Sequence, residues 1–159
     1  MNFLEELVAE WYEFQGYFVT RNVKYGRRSK GGYEGEMDVV TYHPQKGELV
    51  HIEVSGDADS NAERKRRIEK KFSTAQRHYS ELFKFPNMTI LKVAVMGYNR
   101  IKCSEDWGDI KYYTIPGFVR DVVLRGIYDF GSKHKNWSIE ERFPILRSMQ
   151  FALSYQEKK

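Results

Sequence analysis

Cysteine is almost absent: Cys103 is the one cysteine in 159 residues. An internal disulfide is therefore excluded, and so is a Cys-rich zinc module. The same scarcity points to a reducing compartment. Long apolar runs are also missing. No stretch approaches the roughly 20 residues needed to cross a bilayer, so no membrane partner is expected. The opening segment, MNFLEELVAEWYEF, has four glutamates and no early basic cluster. It reads as neither a signal nor a transit peptide, and a cytoplasmic location is expected. Internal repeats, linkers and low-complexity tracts are lacking. The four histidines, His43, His51, His78 and His134, lack zinc-ligand spacing. Each reads singly as a surface or structural residue.

What is present is a globular balance: 41% hydrophobic and 30% charged residues. The length suits one domain over residues 1–159, with a core in 1–115 and a helical part in 116–159. Lys and Arg number 26 against 22 Asp and Glu, a net charge of +4. Spread evenly, that charge decides nothing; its distribution must. Aromatics reach 15%, which suits a ring-filled core and also base stacking.

The patterning predicts the elements. Phe3, Leu4, Leu7, Trp11 and Phe14 form a helical stripe, which Gly16 ends. A strand follows over Tyr17–Tyr25, then the glycine-rich basic loop GRRSKGGYEG over 26–35. The strands EMDVVTYH (36–43) and ELVHIEVS (48–55), joined by PQKG, make a hairpin. In the second strand Val50, Ile52 and Val54 share one face, and His51, Glu53 and Ser55 the other. One long helix is expected to run to Phe85, with Ile68, Phe72, Ala75, Tyr79 and Leu82 inward and Pro86–Asn87 as its stop. The apolar strand 88–98 is expected to be central. A loop with Cys103 and Trp107, a strand over 110–115 and a helix opened by Pro116 follow. The last helix is expected to start near Ser138, capped through Glu141, with Pro144 kinking or delaying it. The fold class is α/β, a mixed sheet between helices.

Chemistry concentrates between Gly35 and Ser55. Glu36 and Asp38, two apart on a strand, are expected to share a face. Glu53 lies on the neighbouring strand. Two carboxylates converging from adjacent strands need a positive partner. A hard divalent cation satisfies them and makes a bound water acidic. Solvated acidic residues on a hairpin are the plain alternative.

The string GEMDVV, a turn and LVHIEVS resemble the core motif of the PD-(D/E)XK, or restriction endonuclease-like, nuclease superfamily. The opening helix, GYFV and the basic loop before GEMD are similar to the archaeal Holliday junction resolvases and the YraN-like proteins. The resemblance covers residues 1 to about 98 and implies an αβββαβ core. It also implies an Mg²⁺- or Mn²⁺-dependent endonuclease acting on DNA or RNA, with DNA favoured. Asp38, Glu53 and the carbonyl of Val54 would then be metal ligands. A first-helix glutamate would join them, Glu6 in preference to Glu10. The motif departs at Ser55, where the family has a lysine. A substitute on the following helix would be Lys71, or else Lys65, each about 60° from the stripe residue Ile68 at 100° per residue.

Basic residues flank the proposed site. Arg27, Arg28 and Lys30 lie in the loop before Asp38, while Arg64, Lys65, Arg66, Arg67, Lys70 and Lys71 open the helix after Glu53. Both segments suit a phosphate backbone, and both also suit ordinary surface charge. Tyr33 can stack on a base or pack the loop. Three readings follow: a metal-dependent nuclease, a catalytically silent nucleic-acid-binding module of the same fold, and a structural protein. A homodimer or a partner chain is compatible with each, and the segment after Pro116 can serve either as an interface or as core.

Overall fold

The computed structural model describes residues 2–57, 59–85, 87–98, 104–134 and 137–156. Helix α1 (Phe3–Phe14) opens on Asn2, whose side chain accepts from the Leu4 and Glu5 N–H groups, while Glu5 reaches back to the Asn2 N–H. Gly16 follows the helix at φ 87, a conformation that costs a glycine little. Strands β1 (Phe18–Arg27), β2 (Tyr33–His43) and β3 (Glu48–Ser55) form an antiparallel meander. Helix α2 (Asn61–Gln76) crosses over to β4 (Thr89–Met96), parallel to β3. A parallel neighbour demands such a crossover. Strands β5 (Ser104–Trp107) and β6 (Ile110–Tyr113) complete a six-stranded mixed sheet in the order β1-β2-β3-β4-β6-β5. No helix among the described residues is long and apolar enough to cross a membrane.

Both faces of β3 are covered. Val50, Ile52 and Val54 pack into the layer holding Leu7, Val8 and Trp11 of α1. On the opposite layer, beneath α2, lie Leu49 with Ala75, and Ile68 and Phe72 with Ala94. His51 and Glu53 are also buried. The segment after Pro116 joins the α1 layer through Phe118, Val123, Ile127, Ile139, Phe143 and Leu146, so it completes the core.

Several boundaries differ from the sequence reading. The basic loop is shorter than residues 26–35, because β1 and β2 pair out to Arg27 and Tyr33. The long helix breaks after Gln76: Arg77 and His78 donate three residues back, and a short α3 (Tyr79–Leu82) follows. The break turns Tyr79 into the core. The Trp107 loop is strand β5; Cys103 and Pro86 fall outside the described residues. After a single turn, α4 (Ile115–Gly117), a π-helical segment spans Phe118–Leu124 and leads into α5 (Arg125–Lys133). Phe118 and Val123 are its buried residues, five apart, the spacing of that wider turn. The last helix, α6 (Pro144–Gln156), starts not at Ser138 but at Pro144, the residue expected to kink or delay it. Its N-terminus is capped from elsewhere: the Ile145 and Leu146 N–H groups donate to Glu10 Oε2 at 3.0 and 3.1 Å. This frees the chain from a local Ser138–Glu141 cap.

Candidate active site

The site forms where β2 parts from β3. Their ladder ends at Val39↔Ile52, whereas β3 continues beside β4 to Ser55↔Met96. On the other edge of β2, Arg21↔Val39 and Val23↔Met37 pair, but the rung between them is missing, and Asn22 stands at φ 55. Asparagine tolerates that region. Met37 and Val40 pack into one layer and Val39 into the other, so strand alternation is interrupted at Asp38. Simple alternation therefore does not put Glu36 and Asp38 on a common face. The distortion turns the Asp38 carboxylate toward β3, where Oδ2 accepts the Val54 N–H at 2.8 Å. In an extended strand the N–H and C=O of one residue face the same side. The Val54 carbonyl therefore faces the β2 side as well.

Glu53 lies under α2 and is 1% exposed. The stripe Ile68, Phe72 and Ala75 seats α2 on the sheet, and that rotation brings Lys71 over the carboxylates. Lys71 Nζ donates to Glu53 Oε2 and reaches Asp38 Oδ1 at 3.5 Å. Burial, then the facing Glu53, push the Asp38 carboxyl up to about 6, with Lys71 and the Val54 N–H pulling it down. Glu53 is also raised, chiefly by burial, with Lys71 opposing and Glu36 adding repulsion. Burial thus raises both carboxyls, and the Lys71 ammonium lowers both. Burial works against the charge on Lys71, but Glu53 and Asp38 outweigh it and raise its pKa. The ammonium stays charged.

Behind Glu53 stands a buried polar pair that sequence reasoning missed. His51 Nε2 lies 2.8 Å from Glu53 Oε1, and His51 Nδ1 lies 2.6 Å from Tyr79 Oη. His51 is 0% exposed, and burial above all lowers its pKa to about 3, so the ring is neutral. The available signal was its position, two residues before Glu53 on the same face. Tyr25 is buried nearby, its ring lying across Gly35, where a Cβ would come within 2.3 Å of the phenolic oxygen.

The other expected site residues are dispersed. Lys65 is exposed and pairs with Glu69 at 3.9 Å. Glu6 contacts Arg21 at 3.4 Å, and Glu10 is occupied by α6. Ser55 donates to Asp57 Oδ2 at 2.5 Å, not to the carboxylate pair. Arg64, expected to face a phosphate backbone, is buried instead: Nε and Nη2 donate to Asp57 and Nη1 to Asn61. Arg67 pairs with Asp57 and Asp59. Burial opposes ionisation of Asp57, but donors from Ser55, Arg64, Asp59 and Arg67 bring it down to about 2. These contacts brace the loop after β3. Arg27, Arg28 and Lys30 are exposed at the β1–β2 tip and have no carboxylate partner among the described residues. Tyr33 is exposed there, with the Lys24 ammonium 5.7 Å from its ring centroid.

The donor set can be tested against a divalent cation. Among the described residues no group of three or more His, Cys, Asp or Glu side chains is gathered for a metal. Asp38, Glu53 and the Val54 carbonyl offer oxygen only, which suits a hard cation that keeps waters and takes one or two carboxylates. The Lys71 ammonium between the carboxylates is a positive charge already accommodated there. The residues present therefore fit Mg²⁺ or Mn²⁺. Comparisons with protein-family models, curated proteins and solved structures find no match for this chain.

Proposed function

We propose that this chain is a divalent-metal-dependent nuclease with a restriction endonuclease-like core, hydrolysing phosphodiester bonds, with DNA as its substrate. The observation that carries the reading is the cluster of Asp38, Glu53 and Lys71 at the parting of β2 and β3. An acidic pair with a charged lysine is what the PD-(D/E)XK motif assembles, and here the lysine comes from α2 instead of the position of Ser55.

Hydrolysis adds water across one P–O bond: the water oxygen bonds to phosphorus, the leaving oxygen departs and takes a proton. When bound, Mg²⁺ or Mn²⁺ supplies Lewis-acid stabilisation of phosphoryl charge and makes a water acidic. Asp38 and Glu53 hold the negative charge that draws the cation. The Val54 N–H fixes Asp38 Oδ2, and Asp38 would help hold the cation. Lys71 directs its N–H donors at the same point, where they stabilise charge building on the phosphoryl oxygens. Arg27, Arg28 and Lys30 attract the polyanion.

The purified chain is expected to nick or cut DNA with Mg²⁺ or Mn²⁺. Asp38→Ala should abolish cleavage. Lys71→Ala should slow it about 10²- to 10³-fold, the usual cost of losing one charge-stabilising donor. Lys65→Ala should leave the rate unchanged. Undiminished cleavage by Asp38→Ala would remove the site. Chelator-indifferent DNA binding without cleavage would favour the silent binding module, the reading that the absent motif lysine at Ser55 supports.

A further inference from the structure

We propose that His51 and Tyr79 are positioning residues, a buried two-member brace that fixes the Glu53 carboxylate for its cation. The inference rests on the nuclease reading and names residues outside the motif that suggests it.

The argument starts from the hydrogen-bond inventory. Glu53 is the anionic partner of the Lys71 ammonium, and a carboxylate only accepts. His51 Nε2, 2.8 Å from Glu53 Oε1, must therefore carry the proton. Nδ1 faces the Tyr79 hydroxyl 2.6 Å away, and with Nε2 donating to Glu53 we assign it as the acceptor of that O–H. This assignment gives one direction to every bond along Tyr79, His51 and Glu53. Tyr79 selects the tautomer, and the tautomer selects the oxygen of Glu53 that is tied back. Oε2 is left for Lys71.

The ring cannot turn away from this arrangement. His51 is 0% exposed and Tyr79 5%, and the edge contact of Phe72 with the imidazole has a centroid separation of 4.6 Å. Tyr79 and Phe72 come from α3 and α2, the elements separated by the break after Gln76. That break delivers the phenol to the imidazole.

Two buried polar side chains are a costly way to fill a core, and apolar residues of the same size would pack there without a partner requirement. Their bonds run in series, Tyr79 to His51 and His51 to one carboxylate oxygen. A glutamate has more rotatable bonds than an aspartate, and Asp38 is fixed by backbone where Glu53 is fixed by this pair. An imidazole held in one tautomer by a partner is a common outer-shell device, and losing such a partner typically costs 10- to 100-fold in metal affinity or activity.

The test compares His51→Leu, His51→Gln and Tyr79→Phe with the wild-type chain. Fold is checked by circular dichroism, Mn²⁺ affinity by calorimetry, and cleavage as kcat and KM. Long-range ¹H–¹⁵N NMR on the metal-free wild type should show His51 protonated on Nε2 alone. His51→Leu should weaken Mn²⁺ binding and lower kcat, each at least about tenfold, with KM for DNA unchanged. His51→Gln, which can keep an amide N–H near the Nε2 position, should recover part of both losses. Tyr79→Phe should lose less than His51→Leu. Protonation of His51 on Nδ1 would overturn the brace. So would folded His51→Leu and Tyr79→Phe proteins with wild-type Mn²⁺ affinity and kcat, while the nuclease reading stood. A wild-type chain that neither binds Mn²⁺ nor cleaves would bring down the nuclease reading, and the brace with it. Should His51→Leu not fold, the Gln and Phe variants decide between these outcomes.

Discussion

The Asp38 carboxyl ionises near pH 6 because burial and the facing Glu53 oppose its charge, with Lys71 and the Val54 N–H acting the other way. An unfolded aspartate ionises near pH 4. Between these values the folded chain holds a proton that the unfolded chain has released. The contribution to stability is therefore fully present below about pH 4 and lost as pH rises through 6. Asp38→Asn stays neutral throughout. In chelator, it should raise stability at pH 8 by on the order of 2 kcal/mol, and the gain should vanish near pH 4. Thermal melts at the two pH values read it; a lower melting temperature at pH 8 would show that the fold does not oppose this charge. The variant would be more stable and inactive, the trade expected where a site stores repulsion for a ligand. Asp38 and Glu53 were legible because a hairpin puts them on neighbouring strands. Helical angle kept Lys71 and Lys65 both open, since angle alone cannot say on which flank the carboxylates lie. His51 was overlooked because periodicity assigns it a face without saying what lies above that face.

Helix α6 takes its cap from α1, 135 positions away in the chain. Pro144 supplies no N–H and suits the first turn, while the next two N–H groups find Glu10. Burial raises the Glu10 pKa, and the Leu146 and Ile145 N–H bonds lower it, with burial prevailing. The helix also holds its own lead-in: Gln150 accepts the Ile139 N–H at 2.8 Å and donates to the Trp137 carbonyl at 3.2 Å. Glu10→Ala should cost about 1–2 kcal/mol in denaturant unfolding, and Glu10→Gln, which retains an acceptor, should cost less. No loss in the alanine variant would mean that packing of Leu146 and Phe143 alone seats α6. This contact explains why the helix start was misread from sequence. Ser138 and Glu141 have capping-box spacing, but a cap from a distant helix leaves no local signature. The break after Gln76 was hidden for a related reason. The apolar stripe continues through Tyr79 and Leu82, whereas the turn that seats the Tyr79 hydroxyl 2.6 Å from His51 Nδ1 leaves no mark in that stripe. The meander, the crossover helix and the apolar β4 were legible, because their signals are local and repeated. Strand β5, four residues with three polar ones, offers no such pattern.

Across the whole molecule the net charge of +4 is an uneven remainder. Asp57 and Asp59 take up Arg64 and Arg67, and Glu69 takes up Lys65. Lys111 and Arg142 pair with Asp106 and Glu140. Among the described residues, Arg27, Arg28 and Lys30 at the hairpin tip and Arg66 and Lys70 on α2 lack carboxylate partners. With Lys71 on Glu53 and Asp38, four of the six basic residues on that helix are paired, and the hairpin keeps its full charge. A polyanion bound through the hairpin releases about 0.9 counterion for each phosphate neutralised. In an Asp38→Ala background, which leaves DNA uncut, the combined Arg27→Ala, Arg28→Ala and Lys30→Ala change should weaken duplex binding. It should also reduce the slope of log K against log salt by roughly 2–3. Neutralising Lys111 and Arg142 together should leave the slope unchanged, since their charge is already paired. Fluorescence anisotropy over a salt series measures both. A slope indifferent to the triple change would move the nucleic-acid path off the hairpin and onto α2, where Arg66→Ala with Lys70→Ala would then carry the loss.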